Sequence, residues 1–178
     1  MPTRLLQTDD APGLAALLRA DRHVLATWTP RRAEGHDSDE GQAEYVRTVL
    51  EQHAAGTAVP LVILDQQGEL VGAITLSSVI RGFFQSCSVG YWLGSSAQGR
   101  GLATGALRDA AEIAFTHLRL HRVQAETLLH NSRSQAVLER CGFTQYGVAE
   151  DYLEIAGRWQ TNALFQLISP TPELVTTG

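Results

Sequence analysis

Two periodicities share this chain, and their order along it predicts the architecture. Leu5 and Leu6 suit a short first strand. Thr8-Asp9-Asp10 then offers helix-capping oxygens, and Leu14, Leu17 and Leu18 follow at helical spacing. That pattern fades from His23 to Pro30, and the polar, unpatterned residues 31–41 read as a loop. Ser38-Asp39-Glu40 opens a second helix, which carries Tyr45, Val46, Val49 and Leu50 as its apolar stripe and ends near Gly56. Short runs of strand-forming residues come next. Residues 59–64 and 70–76 read as strands joined by the hairpin Asp65-Gln66-Gln67-Gly68-Glu69, and a third strand, about 85–93, completes an antiparallel meander.

The helical period returns over residues 101–117, where Leu102, Ala106, Ala110, Ile113, Ala114 and Leu118 fall near one face. A strand over 122–129 and a helix over 132–141 follow, and Gly142-Phe143 makes a helix stop. Two strands, 144–155 and 159–168, turn at Ala156-Gly157, and residues 169–178 read as a loose tail. The pattern predicts one α/β domain over residues 1–168. It would hold six to seven strands and about four helices.

Composition narrows the function classes. With 44% hydrophobic and 19% charged residues the chain can bury a core. A net charge of −5 argues against direct nucleic-acid binding and suits a cationic partner better. Cys87 and Cys141 lack metal-ligand or disulfide-framework spacing, so no metal is expected. His117 and His121 have zinc-helix spacing, but Leu118 stands where the glutamate would be needed. No run is long enough to span a membrane and the start is unlike a signal peptide, which predicts a cytoplasmic protein.

The candidate chemistry sits where the strand Ser88-Val89-Gly90-Tyr91-Trp92-Leu93 gives way to a helix through Gln98-Gly99-Arg100-Gly101-Leu102-Ala103. Glycines at a helix start let bare N–H groups approach an anion, and the helix dipole adds partial positive charge there. A tight turn alone would also explain them. A P-loop is excluded because Arg100 stands where lysine is needed and Gly101 where a metal-binding hydroxyl is needed. A dinucleotide fingerprint is excluded because Thr104 replaces its third glycine.

Gln98, Gly101 and Ala103 match Gln/Arg-x-x-Gly-x-Gly/Ala, the acetyl-CoA signature of the GNAT superfamily of N-acetyltransferases, which this chain resembles. The resemblance runs on through Leu120-His121-Arg122-Val123, His130-Asn131-Ser132-Arg133-Ser134 and Val137 to Phe143. Asp151-Tyr152-Leu153 and Gly157-Arg158-Trp159 are similar to the branch that acetylates the N-terminal alanine or serine of ribosomal proteins.

The resemblance implies the GNAT fold, a mixed, mostly antiparallel twisted sheet flanked by the helices. It also implies acetyl-CoA as co-substrate and direct transfer to a primary amine, without a covalent enzyme intermediate. The amides of Gly99, Arg100, Gly101, Leu102, Ala103 and Thr104 would hold the pyrophosphate, with the Gln98 and Arg100 side chains at its rim. The main chain of Tyr91 and Leu93 would pair with the pantetheine arm, and the Leu93 N–H would stabilise the oxyanion. Asn131 would hydrogen-bond the arm, and Ser134 would deliver a proton to the departing thiolate. Asn131 or Ser132 also suits a helix cap, and Ser132 with Gln135 has capping-box spacing. Glu126, unusual as a charge within a strand, is the candidate base; Asp151 and Glu154 are carboxylates on the strand bordering the acceptor slot. Trp28, Asp151 and Tyr152 would line that slot. The expected acceptor is a protein N-terminus. The alternatives are a small amine such as an amino acid, polyamine or antibiotic, and a non-catalytic CoA-binding module. Either a monomer or a homodimer fits this reading.

Overall fold

The computed structural model describes residues 2–30 and 32–170, so most of the expected tail lies outside the described residues. The strands are β1 (Thr3–Leu5), β2 (Val59–Leu64), β3 (Leu70–Ile80), β4 (Ser86–Leu93), β5 (Arg122–Leu128), β6 (Thr144–Ile155) and β7 (Arg158–Ile168). They form one sheet in the order β1-β2-β3-β4-β5-β7-β6. Every neighbouring pair is antiparallel except β4 with β5. The helices are α1 (Ala11–Ala20), α2 (Arg22–Ala26), α3 (Asp39–Ala54), α4 (Leu102–Glu112) and α5 (Ser132–Arg140).

Side-chain alternation divides the sheet into two faces. Ile63, Ile74, Leu76 and Val89 pack against Ala106, Leu107 and Ala110 of α4 and Leu138 of α5. This core continues across Val123, Ala125, Ala163 and Phe165 of β5 and β7. On the other face Val62 and Ala73 pack with Leu14 of α1 and Val46 and Val49 of α3, and this second core reaches only as far as Trp92 on β4. One half of that face, on β5, β7 and β6, therefore has no α1–α3 core beneath it.

Several elements differ from the sequence expectation for local reasons. The first helix breaks at Asp21, and α2 is a separate turn-and-a-half. The freed Asp21 carboxylate accepts the Ser95 N–H and hydroxyl at 2.6 Å each, pinning the segment that follows β4. β3 runs on to Ile80 past an irregularity at Ser78, which has positive φ. The helix expected to reach His117 is α-helical only to Glu112 and widens into a π-turn over Ile113–His117. Ser38 caps α3 as expected, accepting from the Gly41 N–H.

Asp10 gives α1 no side-chain cap. It accepts both Arg4 guanidinium nitrogens at 2.7 Å and the Gln7 N–H at 2.8 Å, tying β1 to the first helix. The Arg4 guanidinium holds the Asp10 carboxyl below the usual carboxylate range. Asp10→Asn should cost about 1–3 kcal/mol at neutral pH, toward the lower end because Arg4 is partly in water. A depressed carboxyl stabilises above its unfolded pKa and loses that contribution as pH falls through its folded pKa. Urea titrations should therefore show the gap between wild type and variant closing below the ordinary carboxylate range.

Candidate active site

The parallel pair β4–β5 closes the sheet for only three steps, Ser86 with Arg122, Cys87 with Val123 and Ser88 with Gln124. Beyond that, β4 follows β3 as far as the Gly72–Leu93 pair, while β5 follows β7 as far as Leu128–Asn162. The two strands part, and a wedge opens between residues 89–93 and 125–128. The Gly94 N–H bonds the Val71 carbonyl at 2.9 Å, on the β3 side. Successive residues of a strand turn their backbone groups to opposite edges, so the N–H and C=O of Tyr91 and Leu93 face the wedge. A chain of amides laid in it could pair with them as a strand would.

At the mouth of the wedge, β4 passes through a short turn into α4. Gly101 is the N-cap of α4, at φ 78° and ψ 0°, a conformation that favours glycine. From Gly99 to Thr104 no backbone N–H has a hydrogen-bond partner among the described residues. A Cβ at Gly99 or Gly101 would meet nothing within 4 Å. The result is an open cradle of free donors at a helix N-terminus, the donor set that a diphosphate requires. The Gln98 side chain donates back to the Leu93 carbonyl at 3.4 Å and braces the turn. Arg100 leans toward Asp65 on the β2–β3 hairpin, 3.8 Å away, and sits at the rim.

The helix α5 begins across the wedge. Asn131 caps it, its side-chain oxygen accepting the Ser134 N–H at 3.1 Å, which leaves its amide nitrogen free to donate. The Ser132–Gln135 capping box does not form, because the Gln135 amide donates instead to the Leu128 and Leu129 carbonyls. Ser134 lies one turn in, and its hydroxyl is 3.0 Å from that of Tyr91. The Tyr91 hydroxyl also donates to the Ser134 carbonyl at 3.4 Å. Burial pushes the phenol up to about 12, so it stays protonated at physiological pH. Two hydroxyls thus sit together on the α4–α5 side of the wedge.

Glu126 is on the opposite face of β5. Alternation places Val123 and Ala125 in the core beneath α4, so Glu126 points the other way. Burial raises its carboxyl above the usual range, and it has no hydrogen bond or ion pair among the described residues. Burial raises the Tyr152 phenol, and the negative charge of nearby Glu126 adds to that rise. The bulge between Ala149 and Leu153 positions Tyr152, and it holds Asp151 exposed at φ 45°. Trp28, after α2, packs against His130 with ring centroids 5.5 Å apart and the rings tilted by 40°. Pro30 bridges to Ile155, so the segment after α2 closes over the end of the β6–β7 hairpin. A cleft of 1120 Å³ lies between α2, the segment that follows it and the β6–β7 turn at Ala156-Gly157, and is lined by none of the wedge residues.

Residues 3–144 match the family described as acetyltransferase (GNAT) domain. The chain belongs to the GNAT acetyltransferases. It is 36% identical over 168 residues to the [ribosomal protein uS5]-alanine N-acetyltransferase of Escherichia coli (strain K12), covering 94% of this chain and 87% of that protein. It is 29% identical over 171 residues to the probable N-acetyltransferase YjcK of Bacillus subtilis (strain 168), covering 96% and 94%. The crystal structure of ribosomal-protein-S5-alanine acetyltransferase from Vibrio fischeri superposes with a TM-score of 0.89 at 31% identity, over 94% of this chain and 92% of that one. RimJ of Mycobacterium smegmatis, in complex with a CoA disulfide, superposes at 0.90 and 30% identity, over 94% and 81%.

This GNAT enzyme is therefore an acetyl-CoA-dependent N-acetyltransferase, with the seven-stranded sheet of that fold. Its wedge brings together Tyr91, Leu93, Asn131 and Ser134, and the cradle adds residues 99–104. Glu126 and Tyr152 meet on the other face, while Trp28 is held at the far end by His130. Sequence reasoning missed the Tyr91 hydroxyl and the Asp21 anchor, since both depend on contacts across 43 and 74 residues of chain. No helix among the described residues is long and apolar enough to cross a membrane.

Proposed function

We propose that this GNAT enzyme acetylates the α-amine of a protein N-terminus, with a uS5-like ribosomal protein as first candidate. The observation that carries the reading is the wedge itself, with paired hydroxyls on one face and an unpaired carboxylate on the other. Two relatives named for acting on an alanine of ribosomal protein S5, at 36% and 31% identity, support the choice of acceptor.

In this reading the Gly99–Thr104 amides hold the diphosphate of acetyl-CoA, and the Asn131 amide nitrogen and wedge-facing groups of Tyr91 and Leu93 grip its arm. The amine nitrogen attacks the thioester carbonyl carbon, whose oxygen takes up the negative charge against the Leu93 N–H. The C–S bond then breaks. The nitrogen gives its proton through a water to Glu126, and Ser134 supplies one to the sulfur and regains it from solvent, as Glu126 returns its own there, leaving an amide and free CoA. Trp28, Asp151 and Tyr152 border the acceptor.

The acceptor sets how much work the base must do. An α-amine with a pKa of about 8 is neutral roughly one time in ten at pH 7, against fewer than about one in a thousand for a lysine-like amine. Glu126→Gln should therefore lower kcat/KM for an N-terminal peptide by about tenfold at pH 7, and by less at pH 9, where solvent has already removed the proton. In the wild type, activity rises with pH as the burial-raised Glu126 ionises. A rate profile from pH 5 to 9 unchanged by the substitution would remove Glu126 from the reaction. The reading as a whole is tested by CoA release over N-terminal peptides and small amines, with mass spectrometry locating the acetyl group. Modification of the peptide α-amine is expected; turnover confined to polyamines or amino acids would overturn the acceptor.

A further inference from the structure

The half of this sheet face without the α1–α3 core holds a second polar feature. Ala163 and Phe165 of β7 point into the core under α4, so Asn162 between strand positions of that register points to the other face, with Glu126 and Leu128. Asn162 pairs across the ladder with Leu128, and Glu126 with Leu164, which makes Glu126 and Asn162 diagonal neighbours. Diagonal pairs lie about 7–8 Å apart, a span that one small polar group can bridge. Asn162 is 1% exposed, and its side-chain oxygen has no hydrogen-bond partner. A buried amide oxygen left unpaired is costly and rare, so it calls for a donor from outside the chain.

The surroundings say which donor. Glu126 is a second acceptor without a donor. On the parting strand opposite, Gly90 follows Ser88, the last residue in register with β5, and a Cβ there would meet nothing within 4 Å. Its φ is not positive, so the backbone does not demand glycine, and the absent side chain leaves room beside Glu126. Gln166 also has an unpaired side-chain oxygen, but its partner Gln124 lies at the closed end of the wedge.

We propose that Asn162 is a specificity-determining residue for the acceptor: its side-chain oxygen accepts one N–H of the primary amine while the water on Glu126 accepts another. Two fixed acceptors turn the nitrogen lone pair toward the thioester carbonyl across the wedge. They also select amines with two N–H bonds over secondary amines. This inference rests on the acceptor reading above.

The test compares Asn162→Leu and Asn162→Asp with wild type on an N-terminal alanine peptide and its N-methyl analogue. Removing an unpaired buried oxygen for a similar-sized apolar group is neutral or stabilising, so the leucine variant should keep or raise the Tm. Its kcat/KM for the peptide should fall by about ten- to a hundredfold, with KM for acetyl-CoA within about twofold of wild type. Its preference for the primary over the methylated amine should shrink by a similar factor. The aspartate variant keeps an oxygen in place and should retain the preference. Its second carboxylate, diagonal to Glu126, lifts the Glu126 carboxyl further and moves the rate profile to higher pH, so it is compared on the alkaline plateau. That comparison decides the matter if the leucine variant fails to fold. Unchanged activity or an unchanged preference in Asn162→Leu, or loss of the preference in a folded Asn162→Asp on that plateau, overturns the inference alone. A wild-type enzyme that acetylates no peptide overturns the acceptor reading first.

Discussion

Gly101→Val should raise KM for acetyl-CoA by about a hundredfold while leaving the protein folded. The estimate rests on two losses. A β-branched residue at φ 78° is strained by about 1–2 kcal/mol, and the turn would relax by rotating its amides out of the cradle. The added side chain also projects into open space where the anion would sit, since a Cβ there meets nothing. Losing two amide contacts to a charged diphosphate, each worth about 1.5–3 kcal/mol, accounts for a hundredfold or more. Gly56→Val is the control. It introduces the same strain, at φ 72° and with an equally open Cβ, at the end of α3. It should lower Tm comparably and leave KM unchanged. Equal KM values in the two variants would mean that strain alone, rather than a diphosphate site, explains the glycine.

Ser134→Ala should lower kcat by about a hundredfold with KM for acetyl-CoA little changed, the signature of a group used in the transition state. The Tyr91 hydroxyl 3.0 Å away acts through the serine in this mechanism, orienting its hydroxyl and staying protonated beside it. Tyr91→Phe alone should cost roughly tenfold, and the double variant less than the product of the two, since the hydroxyls act as one unit. Kinetics of the four proteins at saturating acetyl-CoA check this. A Ser134→Ala enzyme at full turnover would take the hydroxyl pair out of the mechanism.

Much of this was legible in the chain because it is local. Helical and strand periods gave the order of elements, and Gly99-Arg100-Gly101 marked the turn where β4 becomes α4. Asn131 was readable as one of two candidate caps, while the roles of Asn131 and Ser134 toward the cofactor came from the family resemblance. Glu126 stood out as a charge inside a strand. Non-local contacts were not readable. The wedge exists because β4 and β5 each prefer a different neighbour, and no local pattern records a missing pairing. The Tyr91–Ser134 contact needs α5 packed across β4, and Tyr91 reads in sequence as a strand aromatic. Asn162 carried no distinctive signal among the other polar residues of β7, and its unpaired oxygen shows only once the ladder is assembled. The break at Asp21 was hidden for the same reason, its partner Ser95 being distant in the chain.

All of the chemistry depends on coenzyme A entering between β4 and β5. A crystal structure with CoA should show the diphosphate on the amides of residues 99–104, the arm paired with Tyr91 and Leu93, and the sulfur beside Ser134. A diphosphate bound anywhere else, or a wedge filled by the protein's own side chains, would contradict it.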